Sequence, residues 1–178
     1  MISFKGTLQK LGKSVILQLP DSASKQLPSR GQVSVAGTIN GHEFTYVIEP
    51  DGTFGHWLKL NSPVLKALGL QVGDKVSLQI EPTKKWPEPT IPADFSRALS
   101  KAPAHIQDLW EDITPMARWE WVRWINSTNV VPTRERRVEV SIAKMQSGKR
   151  RPCCFNLASC TDPELSKSGK LIHPAEIK

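Results

Sequence analysis

The chain has 178 residues, enough for one large domain or two small ones. Its 39% hydrophobic and 23% charged residues are those of a folded globular protein, which excludes a disordered polymer. No apolar run reaches the roughly 18 residues of a helical membrane span, so no membrane insertion is expected. Lys and Arg number 24 against 17 Asp and Glu, a formal charge of +7. That excess is spread over both halves of the chain; it attracts polyanions without identifying one. The stretch from Met1 to Lys13 alternates polar and apolar residues and lacks the apolar core of a signal peptide, so a cytoplasmic location is expected. Cys153, Cys154 and Cys160 are an odd, clustered set, which does not make a disulfide framework and agrees with a reducing compartment.

Phe4 to Leu11 reads as a strand, and Val15 to Leu19 as a second. Pro20 and Asp21 open a short helix to Leu27, with Ala23 and Leu27 on one face. Gln32 to Ile39 alternates as a strand. Asn40-Gly41 then makes a two-residue hairpin, because both positions tolerate positive φ. Glu43 to Glu49 returns with Phe44, Tyr46 and Ile48 on one face, and Pro50-Asp51-Gly52 turns again. The same order recurs. His56 to Leu60 is a strand; Asn61 caps a Pro63-led helix with Val64, Leu65 and Leu68; Gly73-Asp74 leads into Lys75 to Ile80. The segment from Leu17 to Val35 matches that from Leu58 to Leu78 as strand, short helix, glycine turn, strand. Short strands with few residues between them favour curling of the sheet on itself. The expectation is therefore an α+β protein whose residues 1–82 form a small closed β-barrel with a pseudo-two-fold repeat.

These residues carry a resemblance. The run His56-Trp57-Leu58-Lys59-Leu60-Asn61, with Leu68-Gly69 and Gly73-Asp74, resembles AbrB-type transition-state regulators. Gly37 to Gly41 followed by Asp51, Gly52, Gly55 and His56 resembles, more closely, a bacterial domain-of-unknown-function family of single-chain β-barrels. The AbrB resemblance implies DNA binding through basic residues on a dimer surface, which a single-chain barrel does not need. Lys59, Lys66 and Lys75 are candidates for such a patch, but solvated lysines on a barrel rim are the favoured reading.

Residues 83–92 hold Pro87, Pro89 and Pro92, and Pro82 stands just before them, a semi-rigid linker. A helical bundle follows over 93–152. Pro92 opens its first helix with Phe95, Ala98 and Leu99; Pro103 opens the second with Ile106, Leu109, Trp110 and Ile113. Thr114 caps and Pro115 opens the third, and Thr133 caps a fourth that ends near Gly148. Trp121 and Trp124 lie on one stripe of the third helix and fit a core role, whereas Trp119 lies roughly 200° away and is expected to be exposed or at a domain interface. The fourth helix concentrates charge, with Arg134, Arg137 and Lys144 on one face. Three readings stand for that face: a solvated, partly salt-bridged surface, a dock for acidic groups of the barrel, or a phosphate site. Residues 153–178 are polar and aperiodic, expected to form a flexible tail.

Trp121-Val122-Arg123-Trp124-Ile125, then Thr133-Arg134 and Arg137, resemble the YdeI or OmpD-associated family, described as bacteriocin-protection. That description implies a protective role and supplies no catalytic residues. Cys153, Cys154, Cys160 and His173 are zinc-ligand types, but adjacent cysteines do not readily take two tetrahedral vertices; no metal or cofactor is expected. Cys154, near Arg150 and Arg151, is either a redox-reactive thiol or a spare one. His56 and Asp51 lack a nucleophile to complete a triad. The reading that emerges is a non-catalytic intracellular binding or stress- and bacteriocin-protection protein, with an unknown small ligand or protein as partner. Its candidate ligand- or anion-binding residues are Arg134, Arg137, Trp119 and His56. Two alternatives are a nucleic-acid-associated regulator using the basic helix, and an enzyme with a site in the barrel–bundle cleft.

Overall fold

The computed structural model describes residues 1–153 and 156–173. They form two units. The first takes 1–87, 157–160 and 164–173; the second takes 88–153, 156 and 161–163.

The first unit runs β1 (Ile2–Thr7), β2 (Gln9–Leu11), β3 (Ser14–Gln18), α1 (Asp21–Ser24), β4 (Val33–Ile39), β5 (His42–Pro50), β6 (His56–Leu60), α2 (Ser62–Leu68) and β7 (Lys75–Pro82). The seven strands make one antiparallel sheet in the order β1-β7-β4-β5-β6-β3-β2. This corrects the closed barrel: the sheet is an open half-barrel. The strand expected over Phe4 to Leu11 breaks at Leu8, whose N–H donates to the Asp74 carbonyl and whose carbonyl accepts from Gly73 N–H. The chain before the break pairs with β7 and the chain after it with β3. One stretch of sequence thus supplies both edges, and no ladder joins them. The order pairs β3 with β6 and β4 with β7, but it does not establish the two-fold repeat.

Alternation decides which side chains enter the core. Val76, Leu78 and Ile80 of β7 pack with Leu17, Val35, Ile48 and Leu58 in one cluster. Each such fully buried aliphatic stabilises the fold by about 1.5–3 kcal/mol relative to exposure. The Asn40-Gly41 turn has φ of 48° and 82°, as a tight two-residue hairpin requires, with Ile39 opposite His42. The Asn61 side chain caps α2 by accepting from Val64 N–H at 3.0 Å.

β6 is buried on both faces. Leu58 and Leu60 face the main cluster, while Trp57 joins Leu11, Ile16, Cys160 and Leu165 in a second one. The last two residues come from the stretch expected to be a flexible tail. Over 157–160 and 164–173 the chain instead joins the unit of the sheet, with a small hairpin of β8 (Ser166–Lys167) and β9 (Lys170–Leu171). Leu171 N–H donates to the Asp51 carbonyl and Cys160 N–H to Gly169. The aperiodic sequence hid this because apolar anchors spaced by turns leave no period to read.

The start of the expected linker is tied to β4: Thr83 N–H donates to the Ser34 carbonyl, and Ser34 Oγ donates to the Lys85 carbonyl.

The second unit holds four helices among the described residues: α3 (Ala93–Lys101), α4 (Ala104–Asp112), α5 (Pro115–Asn126) and α6 (Val131–Gln146). Phe95, Ile106, Trp110, Trp121, Ile125 and Met145 form its core. Thr114 caps α5 through Ala117 N–H, as its sequence indicates. The expected Thr133 cap of α6 is corrected: Val130 is the N-cap residue, with no side-chain cap, and Pro132 sits in the first turn. Proline there gives up no helical hydrogen bond, so the helix starts earlier than the threonine suggests.

Candidate functional site

The four residues marked in the sequence fall in both units: His56 in the first, and Trp119, Arg134 and Arg137 in the second. His56 starts β6 and is 1% exposed. Its Nε2 lies 3.1 Å from the Gly31 carbonyl, which can only accept, so Nε2 carries the proton. Nδ1 is then the acceptor for the hydroxyl of Ser24, at 2.6 Å. Burial pushes the imidazole pKa down, opposed by the Gly31 hydrogen bond. The ring therefore stands neutral and ties α1, the Gly31 turn and β6 together. Asp51 is engaged locally: its Oδ1 accepts from the N–H groups of Thr53 and Gly55 at 2.7 and 2.9 Å.

Trp119 is half-buried on α5, and Trp121 is fully buried against the edge of Trp124, with ring centroids 6.4 Å apart. Trp121 Nε1 donates to the Arg150 carbonyl.

Four arginines of this unit, Arg118, Arg134, Arg150 and Arg151, pair with carboxylates. Arg134 presents its Nε and Nη2 to Asp94 at 2.6 and 3.1 Å, fastening α6 to α3. The guanidinium holds the Asp94 carboxyl below its ordinary pKa. Arg118 offers the same edge to Glu88 at 2.8 and 2.7 Å, while its Nη1 gathers carbonyls at the end of α4. Arg151 does likewise on the buried Glu120, Nε to Oε2 at 2.7 Å. Arg150 pairs with Asp112 at 2.8 Å.

Arg137 is different. Its Nη1 donates to the Trp124 carbonyl at 2.8 Å and to Ser127 Oγ, and no described residue meets its Nε or Nη2. Its guanidinium lies 5.6 Å from the Trp124 ring centroid. Burial alone lowers its pKa, with no carboxylate raising it. Two helical turns on, Lys144 Nζ stands 5.5 Å from the same centroid and 2.9 Å from Cys153 Sγ. Two cations thus share one half-buried indole, and among the described residues neither contacts a carboxylate.

Residues 88–148 match the family model described as Bacteriocin-protection, YdeI or OmpD-Associated. The YdeI or OmpD-associated match covers α3 to α6 and so contains Trp124, Arg134, Arg137 and Lys144. Residues 4–80 match a second model, described as a domain of unknown function (DUF1905). The two matches reproduce the two-domain reading, but the AbrB likeness of the first unit finds no support: the segment is matched by that other family. No curated protein matches the chain.

Sequence spacing had placed Arg134, Arg137 and Lys144 on one helical face. It did not name Asp94, in α3, as the partner of Arg134. It placed Trp124 with Trp121 on a core stripe; the ring packs against the core cluster and is half-buried beside two cations. Ser127 and Cys153 carried no signal, because nothing local in the sequence shows that they meet α6. Cys154 lies outside the described residues. Among those described, no group of three or more His, Cys, Asp or Glu side chains is arranged to hold a metal ion. Among the described residues no helix is long and apolar enough to cross a membrane.

Proposed function

We propose that the chain is a non-catalytic binding protein acting in stress or bacteriocin protection, with its ligand surface on α6 around Arg137. The observation that carries this reading is the contrast among the arginines. Arg118, Arg134 and Arg151 each turn the Nε–Nη2 edge onto a carboxylate of the same unit, whereas that edge of Arg137 hydrogen-bonds no described residue. A half-buried guanidinium held from behind and unopposed in front is suited to an anionic ligand. The family description of residues 88–148 supports protection as the setting. Arg134 supports the surface from behind through Asp94, and His56 belongs to the framework of the first unit.

The test is survival of bacteriocin-challenged cells that depend on this protein, comparing wild type with Arg137→Met. Loss of protection by a variant that keeps its thermal transition is expected. Equal protection removes Arg137 from the function. A fluorescence-anisotropy series with DNA and RNA separates the nucleic-acid reading, since neutralising several phosphates makes affinity fall steeply with salt.

A further inference from the structure

We infer that Arg137, Lys144 and Trp124 form a binding site for a phosphate group, presented free or as a small phosphomonoester. The inference rests on the reading of α6 as a ligand surface and names what that surface holds.

Three features of the geometry converge. First, Arg137 is preorganised: two acceptors, the Trp124 carbonyl and Ser127 Oγ, fix Nη1. That leaves the Nε–Nη2 edge, the one three other arginines of this unit use for two-point contact with carboxylates. Two parallel N–H groups on that edge fit two oxygens of one oxyanion. Second, Lys144 brings a further positive charge to the same ring. Two cations 5.6 and 5.5 Å from one ring centroid on a partly desolvated face repel, and no carboxylate among the described residues relieves them. A dianion answers both charges, which favours phosphate over a monocarboxylate. Phosphate monoesters carry about −1.5 to −2 at pH 7, with a second pKa near 6. Third, the Trp124 indole keeps water from one side of both cations, which strengthens their pull on an anion.

The site has a built-in reporter. Lys144 Nζ sits 2.9 Å from Cys153 Sγ and favours the thiolate there. An anion that takes up Lys144 withdraws that help and slows alkylation of the thiol.

The experiment is calorimetric titration of the full chain with inorganic phosphate at pH 7.5 and fixed ionic strength, with acetate and adenosine monophosphate as parallel arms. Alkylation of Cys153 by iodoacetamide is followed by peptide mass spectrometry under the same conditions. Phosphate is expected to bind, to outcompete acetate, to slow Cys153 alkylation at least about twofold, and to bind more weakly below pH 6. Arg137→Lys, which keeps the charge and loses the fork, should weaken binding about tenfold. Lys144→Gln should weaken it several-fold with an unchanged thermal transition, and carries the test if Arg137→Lys unfolds. Tighter binding of the nucleotide marks a phosphomonoester ligand, and equal binding marks free phosphate. No binding at millimolar phosphate, a preference for acetate, or indifference to both variants overturns the inference. If phosphate fails while Arg137→Met still loses protection, the α6 surface stands with a different ligand.

Discussion

Phe54 has a left-handed backbone, φ 72°, and a side chain 79% exposed. The turn around it is fixed from several sides. Asp51 Oδ1 binds the Thr53 and Gly55 amides, and Arg30 Nη1 donates to the Phe54 carbonyl at 2.9 Å. A left-handed aromatic costs roughly 1–2 kcal/mol that glycine does not incur, offset in part by the larger entropy glycine loses on folding. Phe54→Gly is therefore expected to raise stability by up to about 1 kcal/mol, read as a higher denaturant midpoint at constant slope. A lower midpoint would show that the ring makes contacts that outweigh the strain. His56 sets a pH dependence of its own. Burial lowers its pKa below the ordinary value of about 6.5 in the folded chain only, so the unfolded chain takes up the proton first as pH falls. Its contribution is complete above about pH 6.5 and is lost progressively below that, until the folded ring itself protonates. Thermal melts across pH 5 to 7.5 should show this slope, and His56→Gln should flatten it while lowering stability at pH 7.5 by about 1–3 kcal/mol.

At the scale of elements, α6 is held to its neighbours by polar fastenings laid over an apolar contact. Val138 and Met145 enter the core, Arg134 reaches Asp94 of α3, and Arg137 reaches the last turn of α5. Asp94 has its pKa depressed chiefly by the Arg134 hydrogen bond. The stability it supplies is present above the unfolded carboxyl pKa of about 3.9 and disappears as pH falls through the lower folded value. Arg134→Met should cost on the order of 1 kcal/mol, the pair being partly solvent-screened, and should remove part of the acid sensitivity below pH 4. A double-mutant cycle with Asp94→Asn checks that the two act through one another.

The same elements show what the sequence could and could not reveal. Local chemistry was legible: Asn40-Gly41 turned a hairpin, Asn61 and Thr114 capped, and the proline-led helices began within a residue or two of expectation. Each of those outcomes is decided within about four residues. What failed depended on distant partners. Leu8 breaks a strand because it bonds to Gly73 and Asp74. The partner of Arg134 was hidden because Asp94 lies forty positions earlier. Closure of the sheet was inferred from short strands with few residues between them, which cannot tell an edge from a seam. At the candidate site, the i, i+7 spacing of Arg137 and Lys144 was visible, but Trp124 beneath them was not, because periodicity assigns a ring to a face and leaves its cover undetermined.

At the scale of the whole molecule, the first unit is discontinuous in sequence: residues 1–87 are completed by 157–160 and 164–173. Leu165, 1% exposed, seals the cluster of Leu11, Ile16, Trp57 and Cys160. Leu165→Ala should cost about 2–5 kcal/mol, as for other buried leucines truncated to alanine, and should expose Trp57 to quenching by acrylamide. Unchanged quenching would mean that the sheet does not need this cover.

That late-arriving cover bears on how the protein is made. A ribosome delivers residues 1–87 first, with one side of Trp57 still bare, and must then deliver the four-helix segment before Leu165 exists. The nascent sheet passes through synthesis with an apolar flank open to other chains. Topologically the helices are a guest threaded into a β host. Prompt folding of that guest shortens the tether the host must close, because the loop counts by the distance between its ends and no longer by its residues.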